Sequence, residues 1–267
     1  MILASASPVS LVATVLAAVC YAWPAVWGER TAEQAAKRWV LVAWLFHALA
    51  LGAGITGSEA RFGFAPALSM TVWLVAAVYA VETRFFPQIR TRWTLSAIGV
   101  GAVALAEVFP GSHLSSNPSG WLALHLALGV ACYGLFAAAV VHALLMTRAE
   151  SRIRLAEDPH TGIPLLTLER LTYRLSSAGF ALLTLTLGAG WLFGDVLYGH
   201  GHAWVWNHKT VFGLLAWLVF AVLLAGRRFA GWRGKRATRF LYAGSVLLLL
   251  AYVGSRFVLE VILERTA

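Results

Sequence analysis

Apolar residues in this chain are gathered into blocks of roughly 17–25, the length that crosses a ~30 Å hydrocarbon core as a helix. The blocks predict membrane spans near residues 3–26, 39–56, 66–83, 93–109, 120–146, 175–197, 209–226 and 240–263. Charged residues make up only 12% of the 267, about half of what a soluble domain uses. We therefore predict an all-α integral membrane protein, a bundle of about eight transmembrane helices, with 1–267 forming one polytopic membrane domain.

Lysine and arginine are concentrated in alternate connections, and this bias predicts the orientation. Positive charge resists translocation, so the richer side is cytoplasmic and both termini lie outside the cytoplasm. Residues 1–28 contain no lysine or arginine, so a signal peptide's basic segment is missing and we expect the first span to be a permanent anchor. The net charge of +9 is divided among short loops that face the lipid bilayer, which indicates no nucleic-acid partner. Seventeen of the 21 basic residues lie on the richer side: Arg30, Lys37, Arg38, Arg84, Arg90, Arg92, Arg148, Arg152, Arg154, Arg170, Arg174, Arg227, Arg228, Arg233, Lys235, Arg236 and Arg239.

The long cytoplasmic connection, residues 147–174, ends in leucines at helical spacing with charged residues between them. This pattern predicts a short helix at the membrane surface before the sixth span. The sixth span itself carries small residues and threonines over 179–190, which favours close helix packing. Cys20 and Cys132 form no C-x-x-C pair, so we predict no thiol–disulfide chemistry by this chain.

The outer connection 198–209 is the least generic segment, with three histidines and two tryptophans. Trp204 and Trp206 are typical of an aromatic anchor at headgroup depth. They also suit a shelf for a flat, hydrophobic macrocycle, whose charged edge Lys209 and His208 would meet. Both interpretations remain open on the residues alone.

Three histidines fall within predicted spans, where polar side chains usually face the bundle interior. His125 lies near the outer end of the fifth span and is a candidate axial ligand to haem iron, or else a histidine bonded to a neighbouring helix. His47 lies deeper in the second span and is a weaker candidate of the same kind. His142 lies near the cytoplasmic end of the fifth span, 17 residues beyond His125, so it cannot join the same site. Arg256 is a candidate partner for an anionic group such as a haem propionate, although Glu260 at i+4 would also neutralise it.

Three stretches resemble the CcsA/ResC-type cytochrome c assembly family, and within it a smaller branch of YpjD-like inner membrane proteins. Residues 121–133 resemble its W-L-x-x-H-V segment followed by S-Y, and residues 178–191 its G-F-x-x-L-T-x-G-x-x-x-G segment. Residues 201–217 resemble its haem-handling motif W-x-W-D-x-K-E, which the predicted topology places outside. The match is strongest over 120–263.

The resemblance implies a haem-handling protein of cytochrome c biogenesis in a bacterial inner membrane, and not an enzyme. It would bind b-type haem non-covalently at the outer face for apocytochrome c or other assembly proteins, with His125 at a family ligand position. Asn207 and Thr210 replace the motif's aspartate and glutamate, while Ala225 and Leu263 stand where the family has histidines. The loss of the two histidine positions supports an alternative, a haem-free accessory or regulatory subunit of another membrane system such as an ion transporter.

Overall fold

The computed structural model describes residues 8–27, 30, 32–55, 61–85, 92–113, 120–154, 164–194 and 206–263. Nearly all of them are helical, because a backbone inside lipid must satisfy its own hydrogen bonds. Helix α8 begins as an α-helix over Gly234–Leu249 and continues through π-helical turns over Leu250–Gly254 and Val258–Ile262, separated by Ser255–Phe257. The other helices are α1 Pro8–Trp27, α2 Glu33–Ile55, α3 Phe64–Phe85, α4 Arg92–Val108, α5 Gly120–Arg154, α6 Leu165–Leu192 and α7 His208–Ala230.

Seven of the described helices are long and apolar enough to cross a membrane: α1, α2, α3, α5, α6, α7 and α8. Helix α4 has 17 residues, about 26 Å at 1.5 Å per residue, which is shorter than a ~30 Å core. The all-α fold with membrane-spanning helices is therefore confirmed, whereas the predicted count of eight spans is not.

Two helices extend well beyond the spans predicted from hydropathy. Helix α5 has 35 residues and α6 has 28, about 52 and 42 Å long. The predicted loop 147–174 is thus largely helical, and its expected surface helix is the first part of α6. Hydropathy detects only the apolar stretch of a helix, and a polar continuation into water leaves no mark on it.

The described chain divides into two compact units. Unit 1 comprises Met1–Ala80, Arg90–Asn117 and Arg256–Ala267, and unit 2 comprises Val81–Ile89 and Pro118–Ser255. In unit 1, α1 packs against α2 and α4, and Thr14 Oγ1 donates a hydrogen bond to Glu107 Oε2 at 3.1 Å.

Unit 1 also contains a small antiparallel ladder that the sequence did not predict. Strand β1, Arg61–Phe62, pairs with strand β2, Ser112–His113. Gly111 precedes β2 with φ of +84°, and a Cβ there would lie 2.6 Å from the backbone nitrogen of Gly63. Only glycine permits this approach. Two-residue strands are too short to show alternation, so neither strand could be predicted from the sequence pattern.

In unit 2, α5 packs along α6, and α7 packs against α6 and α8. At its centre the rings of Phe136 and Phe220 stack with centroids 3.7 Å apart. Two glycines bring the flanking backbones close to these rings. A Cβ on Gly179 would lie 3.1 Å from the Phe136 ring, and one on Gly244 would lie 2.6 Å from the Phe220 ring. Aromatic rings therefore fill the space that the small residues of α6 and α8 leave.

Candidate functional site

His125 lies in the second turn of α5 and faces α6. A Cβ built on Gly190 of α6 would be 3.6 Å from His125 Cε1, so the ring sits directly beside the α6 backbone. Trp121, one turn before His125, stacks on Phe193 with centroids 5.8 Å apart and planes at 14°. The half-buried imidazole thus lies below a stacked aromatic pair at one end of unit 2.

Lys209, in the first turn of α7, adds a positive charge to the same end. Its ammonium group lies 5.4 Å from the centre of the Tyr252 ring and interacts electrostatically with His125. Four helices therefore contribute to this end of unit 2. We call His125, Gly190, Lys209 and Tyr252 the His125 site.

The start of α7 explains two of the departures from the family motif. Asn207 is the N-cap of α7, and its Oδ1 accepts hydrogen bonds from the Thr210 backbone N–H at 3.0 Å and from Thr210 Oγ1 at 3.2 Å. Aspartate and glutamate at these positions, as in the family motif, form a capping box. Asparagine is an equally good N-cap. The two replacements therefore keep the helix start that positions Lys209.

The aromatic residues at this end of unit 2 are largely exposed. Trp206 is 71% exposed and Trp191 65%, and His208 is exposed at the first position of α7. Trp204 lies outside the described residues. Exposure at a helix end is expected of both a membrane anchor and a ligand shelf, so the described residues support both interpretations.

Tyr133 links the His125 helix to the irregular part of α8, a feature that sequence reasoning did not assign. Its hydroxyl donates to the Leu248 carbonyl and interacts with the backbone of Tyr252. In the same segment the Ser255 N–H bonds to the Leu250 carbonyl, the i→i−5 pattern of a π-helix. Both a π-helical turn and a side chain that bonds to the helix backbone are sites where a helix can bend. In the sequence, the only indication of this link was a tyrosine two helical turns after His125.

His47 lies in unit 1 and is completely buried. Its Nε2 is hydrogen-bonded to Ser69 Oγ at 2.8 Å, and its Nδ1 lies 3.4 Å from the Tyr21 hydroxyl. An iron ligand needs one ring nitrogen, so coordination would break one of these contacts. The geometry favours a structural histidine that connects α1, α2 and α3.

His142 is engaged on both sides in a similar way, within unit 2. Its Nδ1 donates to the Ala138 carbonyl at 2.7 Å, and its Nε2 lies 2.8 Å from Glu82 Oε2. Both side chains are nearly buried. The sequence placed His142 away from the His125 site but did not predict the partnership with Glu82.

Arg256 belongs to unit 1, where it has the neighbour that the ion-pair interpretation expected. Its Nη1 lies 4.0 Å from Glu260 Oε1 and 3.5 Å from Ser112 Oγ. Glu260 in turn interacts with the backbone of Phe64, the first residue of α3. A carboxylate is favourable at a helix N-terminus. Both charges therefore have structural roles within unit 1.

Among the described residues, no group of three or more His, Cys, Asp or Glu side chains could hold a metal ion. Cys20 and Cys132 are buried and unbonded to each other. A single imidazole suffices as one axial ligand of haem iron, whose other ligands come largely from the macrocycle. The donor chemistry of the His125 site therefore fits haem better than a free metal ion.

The sequence model of the family described as "Cytochrome C assembly protein" matches residues 39–263. The chain belongs to that family. The match confirms the resemblance inferred from the motifs and extends it back to the second span. The inner membrane protein YpjD of Escherichia coli (strain K12) is 29% identical over 234 residues, 83% of this chain and 85% of the relative.

Two further relatives of this cytochrome c assembly protein are named cytochrome c biogenesis protein CcsA. The protein from Synechococcus sp. (strain CC9311) is 29% identical over 171 residues, 63% of this chain and 55% of the relative. The protein from Prochlorococcus marinus is 23% identical over 223 residues, 71% of this chain and 70% of the relative. No solved structure matches the chain significantly.

Proposed function

We propose that this chain takes part in cytochrome c biogenesis by binding haem non-covalently at the His125 site. The observation that carries the proposal is the position of His125, half-buried at the end of unit 2 beside Gly190 and within the electrostatic reach of Lys209. An imidazole supplies an axial ligand to iron, and an ammonium group suits a propionate. His47 contacts Ser69 and Tyr21 within unit 1, and His142 contacts Ala138 and Glu82, so neither lies at the His125 site.

The surrounding residues have separate tasks in this proposal. Lys209 meets the charged edge of the macrocycle, while Trp204 and Trp206 cover its apolar face. His208 or His202 would supply a second iron ligand in place of the family histidines, whose positions are Ala225 and Leu263 here. Arg256 pairs with Glu260 within unit 1, and we assign it no part in the His125 site. Bound haem supplies a redox-active iron that the protein then presents to a partner.

The names of the relatives support this role and its location. CcsA proteins are named for cytochrome c biogenesis, and YpjD is named an inner membrane protein. We accordingly place the chain in a bacterial inner membrane, with the His125 site and both termini outside the cytoplasm. Covalent attachment of haem to apocytochrome c uses thiols that the apocytochrome itself supplies. We therefore assign orientation and protection of haem to this chain, and no bond formation.

A second function is favoured by the residues at the two family histidine positions. Ala225 is exposed on α7 and Leu263 is 49% exposed, and neither can bind iron. A chain that has lost these ligands would retain the helical scaffold as a haem-free accessory or regulatory subunit. The two functions differ in whether the purified protein carries haem.

The visible spectrum of protein purified from haem-replete cells tests the proposal. The parent should show a Soret band and sharp visible bands on reduction. His125→Gly should lose them, and added imidazole should restore them because it can occupy the vacated ligand position. Since a bound ligand stabilises by about 2.7 kcal/mol at a hundredfold excess over Kd, the parent should also melt at a higher temperature with haem.

A matched control is His113→Gly, because His113 is an exposed histidine on β2 of unit 1. This variant should keep the parent spectrum. Replacing both Trp204 and Trp206 by phenylalanine distinguishes a ligand shelf from a membrane anchor. If the two tryptophans form a shelf, the variant should bind less haem while still inserting into the membrane. If they are only an anchor, its haem content should equal that of the parent. Colourless parent protein whose spectrum and melting temperature do not respond to hemin would reject the haem proposal in favour of the accessory subunit.

A further inference from the structure

A cavity of about 490 Å³ opens at the arginine-rich end of unit 2, between the start of α6 and the end of α7. Four guanidinium groups and one carboxylate line it, so positive charge exceeds negative charge by three. No part of the proposed haem site contributes to its lining. The charged and aromatic residues around it are Glu169, Arg170, Tyr173, Arg174, Arg227 and Arg233.

Two of the arginines are held in place by the single carboxylate. Glu169 Oε1 accepts a hydrogen bond from Arg227 Nη1 at 2.6 Å and lies 3.2 Å from Arg233 Nε. The Arg227 guanidinium also lies 4.6 Å from the centre of the Tyr173 ring. The Tyr173 hydroxyl donates to the Trp232 carbonyl at 2.8 Å, which fixes the ring in turn. These contacts orient two guanidinium groups before any ligand arrives, which lowers the entropy cost of binding.

The other two arginines are directed by their helix. Arg170 and Arg174 are four residues apart, so they lie on one face of α6, and both are exposed. Glu169 is already engaged by Arg227 and Arg233. The cavity thus combines two oriented guanidinium groups with two exposed ones, an arrangement suited to the several oxygens of a phosphate group.

The position of the cavity indicates where the phosphate comes from. Its lining includes Leu166, which is 67% exposed at the start of the same helix. An apolar residue beside four arginines, at the end of membrane-spanning helices, suits a ligand with a charged head and an acyl chain. We propose that this cavity binds the phosphate group of an anionic phospholipid in the leaflet on the arginine-rich side, which we predict to be cytoplasmic. Soluble phosphate has the same oxygen chemistry and is the alternative source.

Melting temperatures of the detergent-purified full-length protein test this proposal, with phosphatidylglycerol, phosphatidylcholine or inorganic phosphate added in turn. Phosphatidylglycerol should stabilise the parent, whereas phosphatidylcholine, with no net charge, should have little effect. Arg170→Gln/Arg174→Gln should raise the half-saturating concentration of phosphatidylglycerol at least about 10-fold, because a hydrogen bond from an arginine to a charged phosphate oxygen contributes at least about a factor of 10. Arg228→Gln/Arg239→Gln is the matched control, because both arginines are exposed at the same end but do not line the cavity.

The proposal would be overturned if the two double variants had the same half-saturating concentration of phosphatidylglycerol. It would also be overturned if phosphatidylcholine raised the melting temperature of the parent as much as phosphatidylglycerol does. Stabilisation by inorganic phosphate equal to that by phosphatidylglycerol would overturn the lipid as the source. If the double variant does not fold, Arg174→Gln alone provides the comparison. Native mass spectrometry should then show fewer retained phosphatidylglycerol molecules than on the parent, and an unchanged number would count against the site. Neither measurement depends on haem.

Discussion

Replacing Gly244 by alanine should destabilise unit 2, because the space beside this glycine is already occupied by an aromatic ring. A Cβ there would lie 2.6, 2.8 and 3.0 Å from three atoms of the Phe220 ring. Non-bonded carbons prefer about 3.5–4.0 Å, so the ring would have to move by roughly 1 Å. Phe220 is fully buried, so this movement needs space within the core.

The far side of the Phe220 ring is closed by a second ring and a second backbone. Phe136 stacks on it at 3.7 Å, and a Cβ on Gly179 would already lie 3.1 Å from Phe136. The two rings are therefore held between the backbones of α6 and α8. Overpacking of such a site typically costs about 1–3 kcal/mol. Alanine also favours a helix over glycine by about 1 kcal/mol, and this gain must be subtracted.

Gly188→Ala is the matched control, since Gly188 lies in α6 and a Cβ there would meet nothing within 4 Å. The free energy of unfolding can be measured for both variants in mixed micelles with tryptophan fluorescence. It should be lower for Gly244→Ala than for Gly188→Ala by about 1–3 kcal/mol, because the gain in helix propensity is the same in both variants. Adding Phe220→Leu to Gly244→Ala should cost less than Phe220→Leu alone in the parent, because the added methyl group fills vacated space. Equal stability of the two alanine variants would refute the argument.

Three further predictions concern the N-cap of α7, the buried Glu82–His142 pair and the orientation of the chain in the membrane. Asn207→Ala should lower the free energy of unfolding in mixed micelles by about 1 kcal/mol, whereas Asn207→Asp with Thr210→Glu should be at least as stable as the parent. Lower stability of both variants would contradict the capping role. Glu82→Ala should cost about 3–5 kcal/mol by leaving His142 without its buried partner. Glu82→Gln should cost less, because its amide can still hydrogen-bond; equal losses would show that hydrogen bonding contributes little. Reporters fused after residues 34 or 233 should indicate cytoplasm and those after 116 or 203 the outside, and a cytoplasmic signal at 203 would reverse the topology.

The candidate site shows what local sequence can and cannot indicate. His125 was predicted from its place in a span and from a family motif, and Lys209 from the outer aromatic segment. The roles of Gly190 and Tyr252 were not predicted, because they arise from contacts between helices distant in sequence. Glu82 was missed for the same reason, since its partner His142 is 60 positions away along the chain.

Helix boundaries illustrate a second limit. Hydropathy located the apolar stretches but ended the fifth span at residue 146 and began the sixth at residue 175, because the last turns of α5 and the first turns of α6 carry charged residues. Asn207 and Thr210 depart from the family motif in the sequence. The structure shows that both residues still cap α7.

The sequence by itself determined the class, the family and the charge asymmetry of this protein. Each depends on composition or on short motifs, because lipid admits few backbone structures and basic residues resist translocation. Only the tertiary structure decided which histidines are already engaged, which glycines face rings and which arginines surround a cavity. Those properties depend on packing between helices, where a side chain's partner is set by distance in space and leaves no local pattern in the chain.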